Sequence, residues 1–309
     1  MRYFFSSFVL VFAAACNNGV VDVGGFSSSG GTGGAGGSPG VATGASTGES
    51  TGASTGESTG TGPFSKANVI VHLRSSTAAV PHPEGFSGQT PSAQSIGIRK
   101  LTLYKSESDP SPFVAFDHAS DAVEAGLNDK DDTVVGTVPA KTLPSGTYTI
   151  ARVAISHVRY RIAATMHGFG QTVPGNLQNL HVLSDGSNVD GATWNKGHFS
   201  FSFLLGAMTL GTQAGENGPL PPSASGGGIT LDTSGPETAY VFPVSLPVSP
   251  DITDDVDFVF DINTHENFRW QDEQAPGYQD GVYDATPTTY EAVKSFGANS
   301  FKLSADFTM

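Results

Sequence analysis

Apolar residues at every second position are the strongest constraint on what this chain folds into. Phe199, Phe201, Phe203 and Leu205 alternate with Ser200, Ser202 and Leu204, and Val256, Phe258, Phe260 and Ile262 alternate with Asp257, Val259 and Asp261. Phe301, Leu303, Ala305 and Phe307 repeat the device at the C-terminus. In extended backbone successive side chains point to opposite faces, so this pattern places one face on a core and the other towards water or a second layer. Further strands are expected at Asn68–Arg74, Ile96–Lys105, Pro112–Phe116, Thr133–Val138, Tyr148–Ile162, Leu180–Leu183 and Ala239–Leu246. Turn signals separate them at Pro144-Ser145-Gly146, Asp185-Gly186, Asn217-Gly218 and Gly226–Gly228. Only Ser120–Leu127 and Thr289–Phe296 carry a brief helical pattern. About ten alternating strands of this kind predict an all-β fold, an antiparallel β-sandwich.

One strand carries a finer signal. In Tyr148–Ile162 the apolar positions are odd at Val153 and Ile155 but even at Val158, Tyr160 and Ile162. A bulge or bend is therefore expected near Ser156–His157. Composition agrees with the strand reading. The chain has 39 Gly and 19 Pro against only 15 Lys and Arg and 29 Asp and Glu, whereas a helix bundle needs a surface rich in Lys, Glu and Arg. The net charge of −14 opposes nucleic acid and anionic lipid surfaces, which require basic partners. A single cysteine excludes an internal disulfide framework and a Cys-rich zinc site.

That cysteine lies at the end of a processing segment. Arg2 supplies a positive start, Tyr3 to Phe12 are mostly apolar, and Ala13, Ala14 and Ala15 lead directly into Cys16. The apolar run is shorter than the roughly 20 residues a membrane helix needs and has the anatomy of a secretory signal. Residues 1 to about 18 resemble bacterial lipoprotein precursors. The resemblance implies removal of residues 1–15, acylation of Cys16 and, with Asn17 next, outer-membrane delivery in a Gram-negative cell. The alternative is an ordinary signal cleaved after an A-x-A site, which leaves Cys16 an incidental thiol. Gly, Ser and Thr dominate residues 16–64, and Thr43–Gly62 is a near-tandem repeat of Ser-Thr-Gly units. Such a segment buries too little apolar surface to offset its ordering entropy and is expected to be a disordered tether. Its mean reach is about 40 Å, from roughly 5–6 Å × √n for Gly/Ser chains. Residues 65–309 form the folded part, with a division into two subdomains near 170–195 left open.

Two further likenesses concern that folded part. Leu143-Pro144-Ser145-Gly146-Thr147-Tyr148 resembles the turn-to-strand motif of transthyretin-like surface β-sandwiches, which implies a corner at Gly146 and a strand anchored by Tyr148. The strand Ile98 to Tyr104, the same turn, and the hairpin Trp194-Asn195-Lys196-Gly197-His198-Phe199 resemble in order the copper-binding periplasmic lipoproteins that accompany di-haem partners. The resemblance implies copper but no ligand set among these residues.

Chemistry-bearing residues are sparse. Asp272, Asp280 and Asp284, with Gly281 as a corner, resemble a stretched calcium loop, since calcium takes six to eight hard oxygens; a solvated loop with Trp270 and Tyr283 packed on the sandwich is the other reading. Asn128–Asp132 is a second acidic loop. The eight histidines show no pair at i+2, i+3 or i+4, so nothing in their spacing announces a zinc or copper site. His157, His181 and His198 lie on or beside expected strands, and His265-Glu266 is a polar loop candidate. Arg159 and Arg161 share a strand face, with Arg152 nearby, and pairing with the many carboxylates is expected. Nucleophile-elbow, zinc-protease, P-loop and dinucleotide motifs are absent. The expectation is a non-enzymatic envelope lipoprotein, held at the membrane through Cys16, whose sandwich binds or supports an envelope protein. A copper accessory protein is one alternative. A carbohydrate or adhesion module is another, with Trp194, Trp270, Tyr278 and Tyr283 as surfaces for a glycan.

Overall fold

The computed structural model describes residues 67–305 apart from 169, 219–228, 250–251 and 288. The signal segment 1–15, Cys16, the tether 16–64, the turn at 226–228 and Phe307 lie outside the described residues. In chain order the strands are β1 (Asn68–Ser76), β2 (Ser87–Gln89), β3 (Ala93–Tyr104), β4 (Phe113–Asp117), β5 (Val123–Gly126), β6 (Asp132–Pro139) and β7 (Gly146–Gly168). Then come β8 (Gln171–Val182), β9 (Ser187–Val189), β10 (Ala192–Trp194), β11 (Phe199–Leu205), β12 (Met208–Gly215) and β13 (Thr230–Asp232). The last six are β14 (Thr238–Val248), β15 (Val256–Asn263), β16 (Phe268–Gln271), β17 (Asp284–Ala285), β18 (Ala292–Ser295) and β19 (Ser300–Ala305). A single 3₁₀ turn at Ala140–Thr142 is the one helical element among the described residues, and none of their helices is long and apolar enough to cross a membrane.

The fold is an all-β sandwich built around one long strand. The 23-residue β7 is the spine of the larger sheet, whose order runs β12-β11-β8-β7-β14-β13 with β3, β4 and β5 joined through the other edge of β7. A four-stranded sheet, β19-β15-β1-β6, covers the first half of that face. Alternation fixes which side is buried: Val69, Val71 and Leu73 of β1 and Phe258, Phe260 and Ile262 of β15 meet Ile98, Leu101, Val153, Ile155, Tyr240 and Phe242 in one core. Phe242 packs on Phe260 and Phe301 with ring centres 5.6 and 5.4 Å apart. A second core forms where the three-stranded sheet β18-β16-β2 meets the far half of β7. It holds Ile162, Ala164, Met166, Leu177, Phe203, Phe268, Trp270 and Tyr283. Among the described residues two pairings, β1 with β15 and β7 with β17, are parallel, and the rest of the ladders are antiparallel.

The parity slip in β7 has its structural counterpart. Ala151, Val153 and Ile155 are buried before it, and Ile162, Ala164 and Met166 after it. Between them β3 runs Ile96 to Val158 but Ile98 to Ile155, and its register shifts again before Lys100. Each strand thus takes one unpaired residue, and the bend lets one apolar face serve both cores. At the same place β14 gives way to β8 as the neighbour of β7. Gly97 sits opposite, and a Cβ there would lie 2.5 Å from Cε1 of His157; the imidazole occupies the space a side chain would need. Residues 170–195, where a division was left open, hold β8, β9 and β10, and β8 pairs with β7 from His157–Val182 to Gly168–Gln171.

Two expectations are corrected. Ser120–Leu127 and Thr289–Phe296 are not helical; they contain β5 and β18, because pairing with β3 and β16 satisfies their backbone groups where a one-turn helix leaves most of them unmet. At the Pro144–Tyr148 turn, Gly146 has φ +133°. The buried Tyr148 hydroxyl donates to the Pro144 carbonyl at 2.8 Å, tying the corner to the start of β7.

Candidate ligand cavity and neighbouring polar clusters

The two sheets do not close completely over the first core. Between them lies a cavity of about 80 Å³. Its wall is almost wholly apolar, with Ile98, Val153 and Ile155 from the large sheet and Phe260 and Phe301 from the small one. A cavity needs only about 10–15 Å³ to admit a water molecule, but each water wants two to four polar partners. This wall offers few. Tyr240 also lines it, and burial pushes its phenol up to about 12, so the wall carries no charge from that group. His181 stacks on Tyr160 and Phe296, two further lining residues, and meets Phe201 edge to face. Burial lowers its pKa to about 4, and neither ring nitrogen has a hydrogen-bond partner among the described residues.

Gln94, Ser95, Arg159 and Asn267 interrupt the apolar wall, and two of them are linked. Gln94 Nε2 donates to the Leu127 carbonyl at 2.9 Å, and Asn267 Nδ2 donates to Gln94 Oε1 at 2.9 Å. A backbone carbonyl only accepts, so the orientation of both amides follows from that first bond. The chain of donors leaves Asn267 Oδ1, buried and without a partner among the described residues, as an acceptor on a residue that lines the cavity. An unmet buried acceptor costs about 1–3 kcal/mol, a cost that a ligand donor would remove.

The acidic loop is organised differently from a calcium site. Asp272 accepts from the Trp270 indole at 3.0 Å, from the Gly281 backbone at 3.1 Å and from the Ser87 hydroxyl. Asp284, wholly buried, meets His167 Nε2 at 2.7 Å and accepts from the Gln279 backbone at 2.7 Å. Asp280 is exposed and accepts from Gln274 at 3.0 Å. The three carboxylates therefore brace separate turns and are not gathered into one ligand cluster. Glu291 is the group that spacing gave no reason to notice. Only 1 % exposed, it accepts from the Glu273 and Asp284 backbone nitrogens, yet burial, helped by the charges of Asp284 and Asp272, raises its pKa to about 7.

The aromatic residues expected as a glycan surface are also placed. Trp270 and Tyr283 are 0 % and 3 % exposed and pack edge to face in the second core, so neither is open to a sugar. This corrects their assignment as contacts: Trp270 from β16 and Tyr283, directly before β17, both supply apolar surface to that core. Trp194 is half-buried and stacks on His198 at 3.7 Å. Tyr278 stacks on His167 at 4.9 Å.

The histidines on the strands do not converge. His157 is bonded to Glu124 at 2.6 Å, and His198 to Glu216 at 3.1 Å. Arg152 pairs with Asp232 and Glu237, Arg159 with Asp190 and Glu124, and Arg161 donates to Gln178. Among the described residues the one group of three His, Cys, Asp or Glu side chains able to share an ion is His82, His265 and Glu266. The loop His265-Glu266 was legible as polar; its partner His82, in Pro81-His82-Pro83, gave no spacing signal because it lies 183 positions away. No family model, curated protein or solved structure matches the chain.

Proposed function

We propose that this protein is a cell-envelope lipoprotein whose β-sandwich binds, without catalysis, a small apolar molecule that carries a hydroxyl group. The observation that carries the reading is the apolar cavity with one unmet acceptor, Asn267 Oδ1, among its lining residues. Apolar pockets with a few placed polar groups are the usual form of small-molecule sites. Burial in the cavity supplies affinity, and the single acceptor selects an alcohol or phenol over a plain hydrocarbon. Attachment through Cys16 and a tether fits such a ligand, because apolar molecules concentrate in the membrane and the tether keeps the domain within reach of it.

Two experiments test the parts separately. Titration with an environment-sensitive apolar dye should show saturable binding at one site per chain, displaced by medium-chain alcohols. Non-saturable or absent binding overturns the ligand reading. The variant Cys16→Ser should move the protein from the membrane fraction into the soluble envelope fraction. If that variant stays with the membrane, the anchor reading fails while the ligand reading stands.

A further inference from the structure

We propose that His82, His265 and Glu266 form a site for one divalent transition-metal ion of the zinc or copper(II) kind. One ligand atom from each side chain lies within 4.8 Å of the other two, and all three residues are half-buried. They come from two segments far apart in sequence, so their meeting is a product of the fold. Two imidazole nitrogens and a carboxylate oxygen suit zinc and copper(II), whereas calcium and magnesium select sets made of oxygen alone. Three protein ligands leave a fourth, tetrahedral position for water.

The surroundings prepare the ligands. His82 Nε2 lies 3.2 Å from the His265 carbonyl. A carbonyl only accepts, so that nitrogen carries the proton and the lone pair stands on Nδ1. Metal-binding histidines are held by this kind of bond, which fixes both tautomer and ring orientation. The two rings are nearly parallel, with centres 5.7 Å apart and planes 13° apart. His265 Nδ1 is 3.5 Å from the Val80 backbone nitrogen, a contact long enough to be exchanged for a metal bond at little cost. The turn that carries His265 and Glu266 is pinned from three sides. The His265 nitrogen donates to Asn263 Oδ1, the Glu266 nitrogen donates to Thr90 Oγ1, and Asn299 Nδ2 donates to the His265 carbonyl. Glu266 itself has φ +43°, a left-handed conformation that favours glycine and that these bonds hold in place. Arg269 Nη1 stands 3.6 Å from Glu266 Oε2, which leaves Oε1 for the ion.

The full chain, stripped with chelator, should take up one equivalent of zinc when titrated with zinc sulfate alone. His82→Ala and Glu266→Gln should each weaken that uptake by at least about tenfold, the size of effect that loss of a mere supporting partner already has. His72→Ala, which removes a histidine paired with Asp132 elsewhere on the sheet, should leave it unchanged. With copper(II) in place of zinc, the electron-paramagnetic spectrum should show two coordinated imidazole nitrogens in the unaltered chain and one in His82→Ala. The proposal is overturned by no stoichiometric zinc, by equal affinity in His82→Ala and the unaltered chain, or by a copper spectrum without imidazole nitrogen. The copper spectrum of the unaltered chain decides the matter even if a variant fails to fold. Calcium at millimolar concentration should not compete; displacement of zinc by calcium would also contradict the assigned ligands.

Discussion

Replacing Ala298 by leucine separates a ligand cavity from a merely imperfect core, because it moves stability and binding in opposite directions. Ala298 is partly buried, packs against the first core and lines the cavity. An empty cavity of about 80 Å³ costs about 2 kcal/mol at about 24 cal/mol per Å³. Leucine adds a branched group of three carbons, and at about 0.8 kcal/mol per buried carbon the gain is again about 2 kcal/mol. The two routes agree, so Ala298→Leu should raise the unfolding free energy of the ligand-free chain by about 2 kcal/mol. For a domain of this size that corresponds to a melting temperature higher by roughly 4–8 °C. The same variant should weaken binding of the apolar dye at least about tenfold, since the space is taken. Paired thermal melts and dye titrations read both quantities. A lower melting temperature together with unchanged dye binding would mean that the leucine found no empty space to fill and no ligand site to block, and would rule out the cavity as a binding site.

Other outcomes follow from single groups. Tyr148→Phe removes the hydroxyl that donates to the carbonyl of the exposed Pro144 and should cost about 0.5–1.5 kcal/mol in urea unfolding; an unchanged midpoint would show that the corner holds without it. For Glu124 burial pulls the pKa upward, but hydrogen bonds from His157 and Ser95 and the charges of His157 and Arg159 outweigh it and hold the carboxyl at about 2. A depressed folded pKa contributes stability above the unfolded value of 4.5 that is lost as pH falls towards 2. With its side chain 44 % exposed, solvent screening reduces this to about 1 kcal/mol, and Glu124→Gln should flatten the acid limb by that amount. Glu291 has the opposite sign: its pKa is raised from 4.5 to about 7, so the folded state holds the proton longer and stability falls as pH rises through that window, then levels off. The slope, on the order of 3 kcal/mol over the interval, should vanish in Glu291→Gln; persistence of the slope in that variant assigns it elsewhere.

The sandwich was legible in the sequence because alternation is a local signal: Val256 to Ile262 and Phe199 to Leu205 need no knowledge of their partners to be read as strands. The slip in β7 was legible for the same reason, since a change of parity is written along one segment. The parallel pairing of β1 with β15 was not legible, because register between distant segments leaves no trace in either. The short strands β5 and β18 were read as helical because four residues carry too little pattern to outweigh local propensity, and the neighbouring strand decides. The sites follow the same division. Asp272, Asp280 and Asp284 stand out as a run, yet the fold gives Asp272 and Asp284 to neighbouring backbone and side-chain donors. The cavity, the Gln94–Asn267 amide pair and the meeting of His82 with His265 arise from contacts across 173 and 183 positions. No spacing rule reaches that far.

On the proposed reading, the cavity between the sheets holds an apolar alcohol with its hydroxyl on Asn267. Methyl-labelled NMR of the full chain, titrated in parallel with 1-octanol and n-octane, tests it most directly. Saturable shifts should cluster on the methyls of Ile98, Val153 and Ile155, and the alcohol should bind roughly 2–10-fold more tightly, the value of one net hydrogen bond. Loss of that preference in Asn267→Leu would complete the assignment. Methyl shifts that never saturate, or that spread evenly over the surface for both compounds, would contradict it.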